Sequence, residues 1–383
     1  MNRVTIDIPA LQDNVRTIDL WMQRHGATWT FVSKALCGHE DTLRAMSSFG
    51  IESVADSRLE NLEVVTRAAP DWDRWYLRPP QISNIAEVVA LSEVSLNTER
   101  EIIRALEEEA SRQQKHHKVV VMVELGDLRE GILPGGLVEF YEEILRLEHV
   151  EVIGIGANLG CISGTVPNVD QFTQLSLYRE LLELKFGKKL PVISAGSSAV
   201  LPLMLKRELP RAINHFRIGE ALFLGTDLIN GGILPGLRDD VVELEAEIVE
   251  IKEKQLVALG ETSGETPFEA LSTEEIAPGQ RGYRAVLAVG QLDTEVSGLT
   301  PIEPGVHLAG ASSDLCVVNL TDGPAGRKVG DGIRFRVSYG AFVRLMANPY
   351  IEKQVRRTEG ADIVLVPEAD QDSGADSSIG AAL

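Results

Sequence analysis

The run KVVVMVEL, residues 118–125, decides how the rest of the chain is read. It is apolar without alternation, whereas a strand with one face in water alternates apolar and polar side chains. A continuous β-branched run fits a strand buried on both faces, as in parallel sheets. TFVSK (30–34), SVA (53–55), RWYL (74–77) and EVSL (93–96) precede it, and VIGIGANL (152–159), PVISAGS (191–197) and NHFRIG (214–219) follow it. Helical stretches lie between, among them DTLRAMSSFG (41–50), TEREIIRALEEEASRQQ (98–114) and SLYRELLELKFG (176–187). Gly50 and Gly187 stand where glycines end helices. Strand and helix alternating through eight units predict an α/β fold built on a TIM-type (β/α)8 barrel.

After Gly225 the pattern changes. VVELEAEIVEIKE (241–253), GYRAVLAVG (282–290), VHLAG (306–310), LCVVNLT (315–321) and DGIRFRVSYG (331–340) are separated by Gly, Pro and Asp turns. With no helix between them, they predict a mostly antiparallel β domain following the barrel. VTIDI (4–8) precedes the first barrel run and is a candidate to pair with it. The expected organisation is a barrel over 9–225, a β domain from 1–8 and 226–367, and a disordered acidic tail over 368–383.

A length of 383 residues suits two domains. The net charge of -20 argues against nucleic acid and against an anionic membrane surface, both of which repel acid. Cys37, Cys161 and Cys316 are too widely spaced for a disulfide framework or a metal site, and the seven histidines show no ligand spacing. No metal is expected. MNRVTIDIPALQDNV lacks the apolar core of a signal peptide, and no apolar run reaches membrane-spanning length, so a cytoplasmic location is expected.

Chemistry on a barrel of this kind sits at the C-terminal ends of the strands. There the sequence places Lys34, Glu124 with Arg129, Asn158, Ser197 with Ser198, and Arg217. By residue type alone Lys34 is also a strand-end lysine with its head in water. An amine nucleophile among anion-binding groups points to Schiff-base chemistry. A substrate Schiff base needs only the lysine; pyridoxal phosphate also needs a phosphate cradle. SAGSSAV (194–200), before a helical AVLPLMLKRE, and RIGEALFLG (217–225) are the candidate cradle, or else two ordinary Gly/Ser turns.

IDIPALQDNV (6–15), SKALCGHE (33–40), VELGDLREGI (123–132), GIGANLGC (154–161), SAGSSAVL (194–201) and RIGEALFLG together resemble the alanine/ornithine racemase family. GASSD (310–314) and VGD (329–331) extend the resemblance into the β domain. The resemblance implies a pyridoxal-phosphate enzyme that interconverts L- and D-amino acids. Lys34 matches the lysine that carries the cofactor and acts as one racemising base. Arg217 matches the arginine facing the pyridine nitrogen, and Arg129 the one near the substrate carboxylate. Ser197, Ser198, Gly219 and the backbone of Glu220 match phosphate-binding positions, and Asn158 lines the ring. Tyr339 matches more loosely a tyrosine that reaches the phosphate; otherwise it is a strand tyrosine in water.

Three departures stand out. Cys37 occupies the place nearest a family tyrosine past the lysine turn, and no tyrosine stands ahead of YRAVLAVGQLD (283–293) where alanine racemases carry their second base. GASSDL replaces GASSDH, so Leu315 stands where a histidine would transfer a proton. Asp314, Cys316, Tyr339 and Cys37 are the candidates for that proton transfer. Met122 stands where some relatives carbamylate a lysine. The resemblance also implies a homodimer with shared sites, GASSD crossing over, and it favours an ornithine-like or broad-range amino-acid substrate over alanine, with Glu220 and Asp314 available to a distal amine. The rivals are a decarboxylase on the same cofactor, a non-catalytic pyridoxal-phosphate-binding protein, and a cofactor-free Schiff-base aldolase.

Overall fold

The computed structural model describes residues 2–160, 164–257, 277, 279–321 and 323–357. Strand β1 (Arg3–Asp7) runs directly into helix α1 (Ile8–His25), and the Asp7 carboxylate caps that helix by accepting the Ala10 N–H at 2.8 Å. Each apolar run of the sequence then becomes a barrel strand. In order these are β2 (Thr28–Val32), α2 (Glu40–Met46), β3 (Ser53–Asp56), α3 (Leu59–Ala68), β4 (Asp73–Tyr76), α4 (Ile85–Leu91), β5 (Val94–Asn97) and α5 (Arg100–Arg112). The series continues with β6 (His117–Met122), α6 (Leu137–Ile144), β7 (Val150–Gly156), α7 (Val169–Phe186), β8 (Val192–Ser197), α8 (Leu201–Leu205), β9 (His215–Ile218) and α9 (Glu220–Leu224). The parallel strands β2 to β9 pair in sequence order and close when β9 pairs with β2.

Inward-facing Val32, Ala55, Trp75, Val94, Leu96, Val120 and Met122 pack together inside the barrel. The outer faces of the strands join the helices in a larger core, so the strands are buried on both sides. Glycine is required where strands approach closely: a Cβ on Gly196 would meet the Phe216 ring at 2.1 Å.

The β domain holds β10 (Val242–Gln255), β11 (Arg281–Leu287), β12 (Leu299–Pro301), β13 (Val306–Ala311), β14 (Cys316–Leu320), β15 (Gly332–Val337), α10 (Tyr339–Ala347) and β16 (Glu352–Arg356). Its antiparallel order is β12-β15-β10-β11-β14-β13.

Four local expectations are corrected. VTIDI does not pair with the barrel: β1 lies antiparallel to β10 and parallel to β16. Its alternating burial, with Val4 and Ile6 inside, suits a sheet with one wet face. Gly50 does not end α2, which stops at Met46. There the Ser47 and Ser48 hydroxyls donate to the carbonyls of Arg44 and Ala45, so the chain leaves the helix early. Helix α7 begins at Val169, before the expected stretch, because Asn168 and Gln171 cap each other reciprocally. Finally, the β domain does contain a helix. In α10 Ala341, Phe342, Leu345 and Met346 are buried at helical spacing, and the Ser338 hydroxyl accepts the Ala341 N–H at 3.3 Å. The expected tail over 368–383 lies outside the described residues.

Candidate functional site

A cavity of about 660 Å³ opens at the C-terminal ends of the barrel strands, and Lys34, Arg129, Asn158, Ser197, Ser198, Arg217, Gly219, Glu220 and Tyr339 all line it. Nine of the residues singled out from the sequence are therefore brought together, whereas Glu124, Cys37, Cys316 and Asp314 are not among those lining the cavity. Asp314 belongs elsewhere. It lies in an exposed turn beside a separate concavity of about 720 Å³ that also contains Leu292, Arg344 and Tyr350.

Lys34 opens a short 3-10 turn at the end of β2. The turn is fixed from behind by the preceding residue. The Ser33 hydroxyl donates to Asp56 Oδ2 at 2.7 Å, and Asp56 Oδ1 accepts from the Arg58 N–H at 3.0 Å and Asn61 Nδ2 at 3.1 Å. Burial pushes the Asp56 carboxyl above the usual range, and these hydrogen bonds offset only part of that. On the cavity side Lys34 Nζ stands 6.0 Å from the centre of the Tyr339 ring. Tyr339 is the first residue of α10, so it is a helix-start tyrosine and not the strand tyrosine considered above. It arrives because α10 packs on the lysine turn, with Cys37 Sγ 3.9 Å from the Val343 carbonyl.

Arg217 is buried, and its guanidinium is tightly held. Nη1 donates to the Ser194 carbonyl and to Ser194 Oγ, both at 2.6 Å. Nη2 donates to the Ala157 carbonyl at 3.1 Å and to Asn158 Oδ1 at 2.5 Å. Asn158 turns its amide to Glu130 Oε1 at 2.6 Å, and Glu130 pairs with the Arg129 guanidinium. A polar chain thus crosses the cavity wall from β9 through β7 to the loop after β6. Burial works against the Glu130 charge, but Arg129 and Asn158 prevail and hold its carboxyl below the usual range. Glu124, read from the sequence as a strand-end acid, shapes this loop by accepting backbone N–H groups of Gly126, Leu128 and Arg129.

Glu220 is the other carboxyl on the cavity wall. Burial raises it, and the Thr226 hydroxyl at 3.4 Å and the nearby Lys34 charge only partly compensate. The sequence reading missed Arg78 and Glu130 as lining residues. The signals were there: Arg78 is the first residue past RWYL, and Glu130 sits inside GDLREGI. Of the four candidates for a second proton carrier, Tyr339 alone lines this cavity. Cys316 is buried within β14, where burial pushes its thiol up to about 12, and Cys37 is likewise raised by burial.

The wall has the donors a phosphorylated pyridine aldehyde requires. Ser197 Oγ is buried with no hydrogen-bond partner among the described residues, an unsatisfied hydroxyl awaiting an acceptor. Ser198 Oγ accepts the Ala221 N–H at 3.2 Å and so joins the turn after β8 to the start of α9. A Cβ on Gly219 would meet Val32 at 3.1 Å, so glycine keeps that turn close to β2. An amine, an orphaned hydroxyl and a fixed guanidinium on one wall fit such a group. Among the described residues no cluster of metal-binding side chains is present, and no helix is long and apolar enough to cross a membrane.

Comparison with known proteins agrees with this geometry. Residues 6–227 match the family described as "Alanine racemase, N-terminal domain". The chain is 35% identical to an ornithine racemase of Acetoanaerobium sticklandii over 92% of its own length and 99% of that protein's. It is 30% identical to a lysine racemase of Thermotoga maritima, covering 92% and 97%. Its fold superposes, with a TM-score of 0.67 at 15% identity and coverage of 93% and 99%, on an alanine racemase from Bartonella henselae with covalently bound pyridoxal phosphate.

Proposed function

The chain belongs to the alanine racemase family, and on that premise we propose that it is a pyridoxal-phosphate-dependent amino-acid racemase, an isomerase that interconverts the L and D forms of basic amino acids such as ornithine or lysine. The observation that carries this reading is one cavity lined by a lysine, a held guanidinium and an orphaned serine hydroxyl.

In this reading Lys34 holds the cofactor covalently. Ser197, Ser198 and the backbone at Gly219 and Glu220 take the phosphate, with Tyr339 reaching it. Asn158 lies against the ring, and Arg217 faces the ring nitrogen. When bound, the cofactor supplies an electron sink beside the substrate Cα. Arg217 cannot give up its proton, so it keeps its partner nitrogen an acceptor. Arg129, held by Glu130, receives the substrate carboxylate. Lys34 removes or returns the Cα proton on one face. A β-domain residue serves the other face; Tyr339 lines this chain's own cavity, and Asp314 serves if it reaches the cavity of a second copy.

The substrate's distal ammonium is assigned to Glu220. A half-buried carboxyl whose charge is poorly compensated gains most from a cation brought by the ligand. A cytoplasmic homodimer with shared sites completes the proposal. Exposed Leu292, Leu315 and Tyr350 around Asp314 support the dimer, and the free thiols of Cys37 and Cys316 suit a reducing compartment.

The test is incubation with pyridoxal phosphate and single L-amino acids in D₂O, scored by chiral separation with mass detection. Deuterated D-ornithine or D-lysine is the expected product. Exchange without inversion would remove the second base from the proposal, and no exchange with any substrate would overturn it. Sedimentation tests the dimer.

A further inference from the structure

Below the cavity lies a buried histidine that the proposed chemistry does not use. His215 and Arg217 are two apart on β9, so both side chains enter the barrel. A register shift between β8 and β9 sets Ser194 opposite His215 and Ser197 opposite Arg217. His215 Nδ1 lies 2.8 Å from Ser194 Oγ, and Nε2 lies 2.9 Å from Thr30 Oγ1. Thr30 Oγ1 is in turn 2.8 Å from Ser53 Oγ. The imidazole is stacked on Trp75, with ring centroids 4.5 Å apart and planes 8° from parallel.

The directions of these hydrogen bonds follow from donor counting. A guanidinium only donates, so Ser194 Oγ accepts from Arg217. Ser194 Oγ then has its one proton and a second lone pair left for His215 Nδ1, and a cation donating to that oxygen favours giving the proton, which makes Nδ1 the bare nitrogen. A neutral ring carries its proton on Nε2 and donates it to Thr30, whose own proton passes to Ser53. Ser53 ends the chain at the Trp29 carbonyl, 3.4 Å away. Every acceptor end points toward Arg217 and every donor end away from it. A chain oriented in one direction polarises its members cooperatively and favours the cation at its head. Burial, with Arg217 adding to it, pushes His215 down to about 3, consistent with a neutral ring.

We infer that His215 is a positioning residue for Arg217: as a neutral imidazole protonated on Nε2, it fixes the Ser194 hydroxyl as an acceptor and through it the orientation of the guanidinium. The hydrogen-bond chain stands on geometry alone; its catalytic consequence rests on the proposal that Arg217 faces the cofactor ring.

The experiment has two arms, both on the full-length protein. In the first, long-range ¹H–¹⁵N NMR of histidine-labelled protein reads the ring nitrogens of His215, identified by loss of its signals in His215→Asn. The expected pattern is Nε2–H, unchanged across the range in which free histidine titrates, with Ser194→Ala moving the Nδ1 signal. An Nδ1–H tautomer, an imidazolium, or an Nδ1 signal indifferent to Ser194→Ala overturns the inference. In the second arm, turnover of the cofactor-loaded enzyme is measured. His215→Leu is expected to lower kcat on the order of tenfold with little change in KM, and His215→Asn, which keeps an acceptor for Ser194, to restore most of it. In a Ser194→Ala background His215→Leu should cost little more, because both remove one interaction. Additive losses, or no rescue by Asn, overturn the positioning role. If His215→Leu does not fold, His215→Asn and Ser194→Ala still decide. A wild-type protein without turnover would remove the racemase reading and leave the first arm to judge the chain.

Discussion

Replacing Asp56 should both destabilise the fold and loosen the turn that carries Lys34. The carboxylate is fully buried and accepts three hydrogen bonds, from Ser33 Oγ, the Arg58 N–H and Asn61 Nδ2. Asp56→Ala strands the Arg58 N–H and the buried Asn61 amide and leaves the Ser33 hydroxyl only its 3.3 Å bond to the Ala55 carbonyl. Each unpaired buried donor costs about 1–3 kcal/mol, and removing the carboxylate's own burial penalty returns part, which leaves a net loss of about 3 kcal/mol. Asp56→Asn keeps one acceptor oxygen, and the Ser33 hydroxyl can turn to accept from the new amide, so its cost should be about 1 kcal/mol or less. The pH dependence has a definite sign. Burial raises the folded pKa above the ordinary 3.8, so the native state binds the extra proton. This group therefore favours folding in acid, and that contribution is lost as pH rises from the ordinary carboxyl range through the raised value. Urea unfolding of wild type, Asp56→Ala and Asp56→Asn over a pH series measures both effects. The part of the decline due to Asp56 should vanish in the asparagine variant. An alanine variant within about 0.5 kcal/mol of wild type, or an asparagine variant equally damaging, would refute the reasoning.

The other predictions concern the cavity and the strands beneath it. Lys34→Ala should abolish both the visible absorbance with added pyridoxal phosphate and the borohydride-trapped adduct; survival of either removes Lys34 as the attachment point. Glu220→Gln should lower kcat/KM for ornithine or lysine on the order of tenfold relative to alanine, because an ammonium loses its charged partner; an equal fall for alanine would assign Glu220 to the cofactor and not to the substrate. Gly196→Ala forces a methyl into the Phe216 ring and should cost about 1–3 kcal/mol, read as a lower melting temperature; an unchanged melting temperature would mean β8 and β9 separate easily.

Much of the architecture was legible because burial on two faces leaves a local mark. KVVVMVEL and its companions read as strands without reference to anything distant, and all eight strands of the closed barrel fall on those runs. Helix ends were less legible. Gly187 carries the left-handed cap, but Ser47 and Ser48 end α2 through side-chain hydrogen bonds that compete with the helix, before Gly50 is reached. Helix α10 was hidden because DGIRFRVSYG reads as one strand, whereas Ser338 caps a new helix within it.

The site divides the same way. Residue types at strand ends were enough to nominate Lys34, Arg129, Asn158, Ser197 and Arg217, since a parallel barrel brings all its C-terminal strand ends to one face. The sequence by itself thus determined the barrel, its order and which residues meet at its mouth, all of which follow from short-range periodicity. Only the tertiary structure decided that β1 joins the β domain, that Tyr339 stands over Lys34, that Asp314 lies elsewhere, and that His215 reaches Arg217 through Ser194. Those facts depend on strand register and on how α10 packs against the lysine turn. Register and packing are set by contacts between residues far apart in the chain, which no local pattern records.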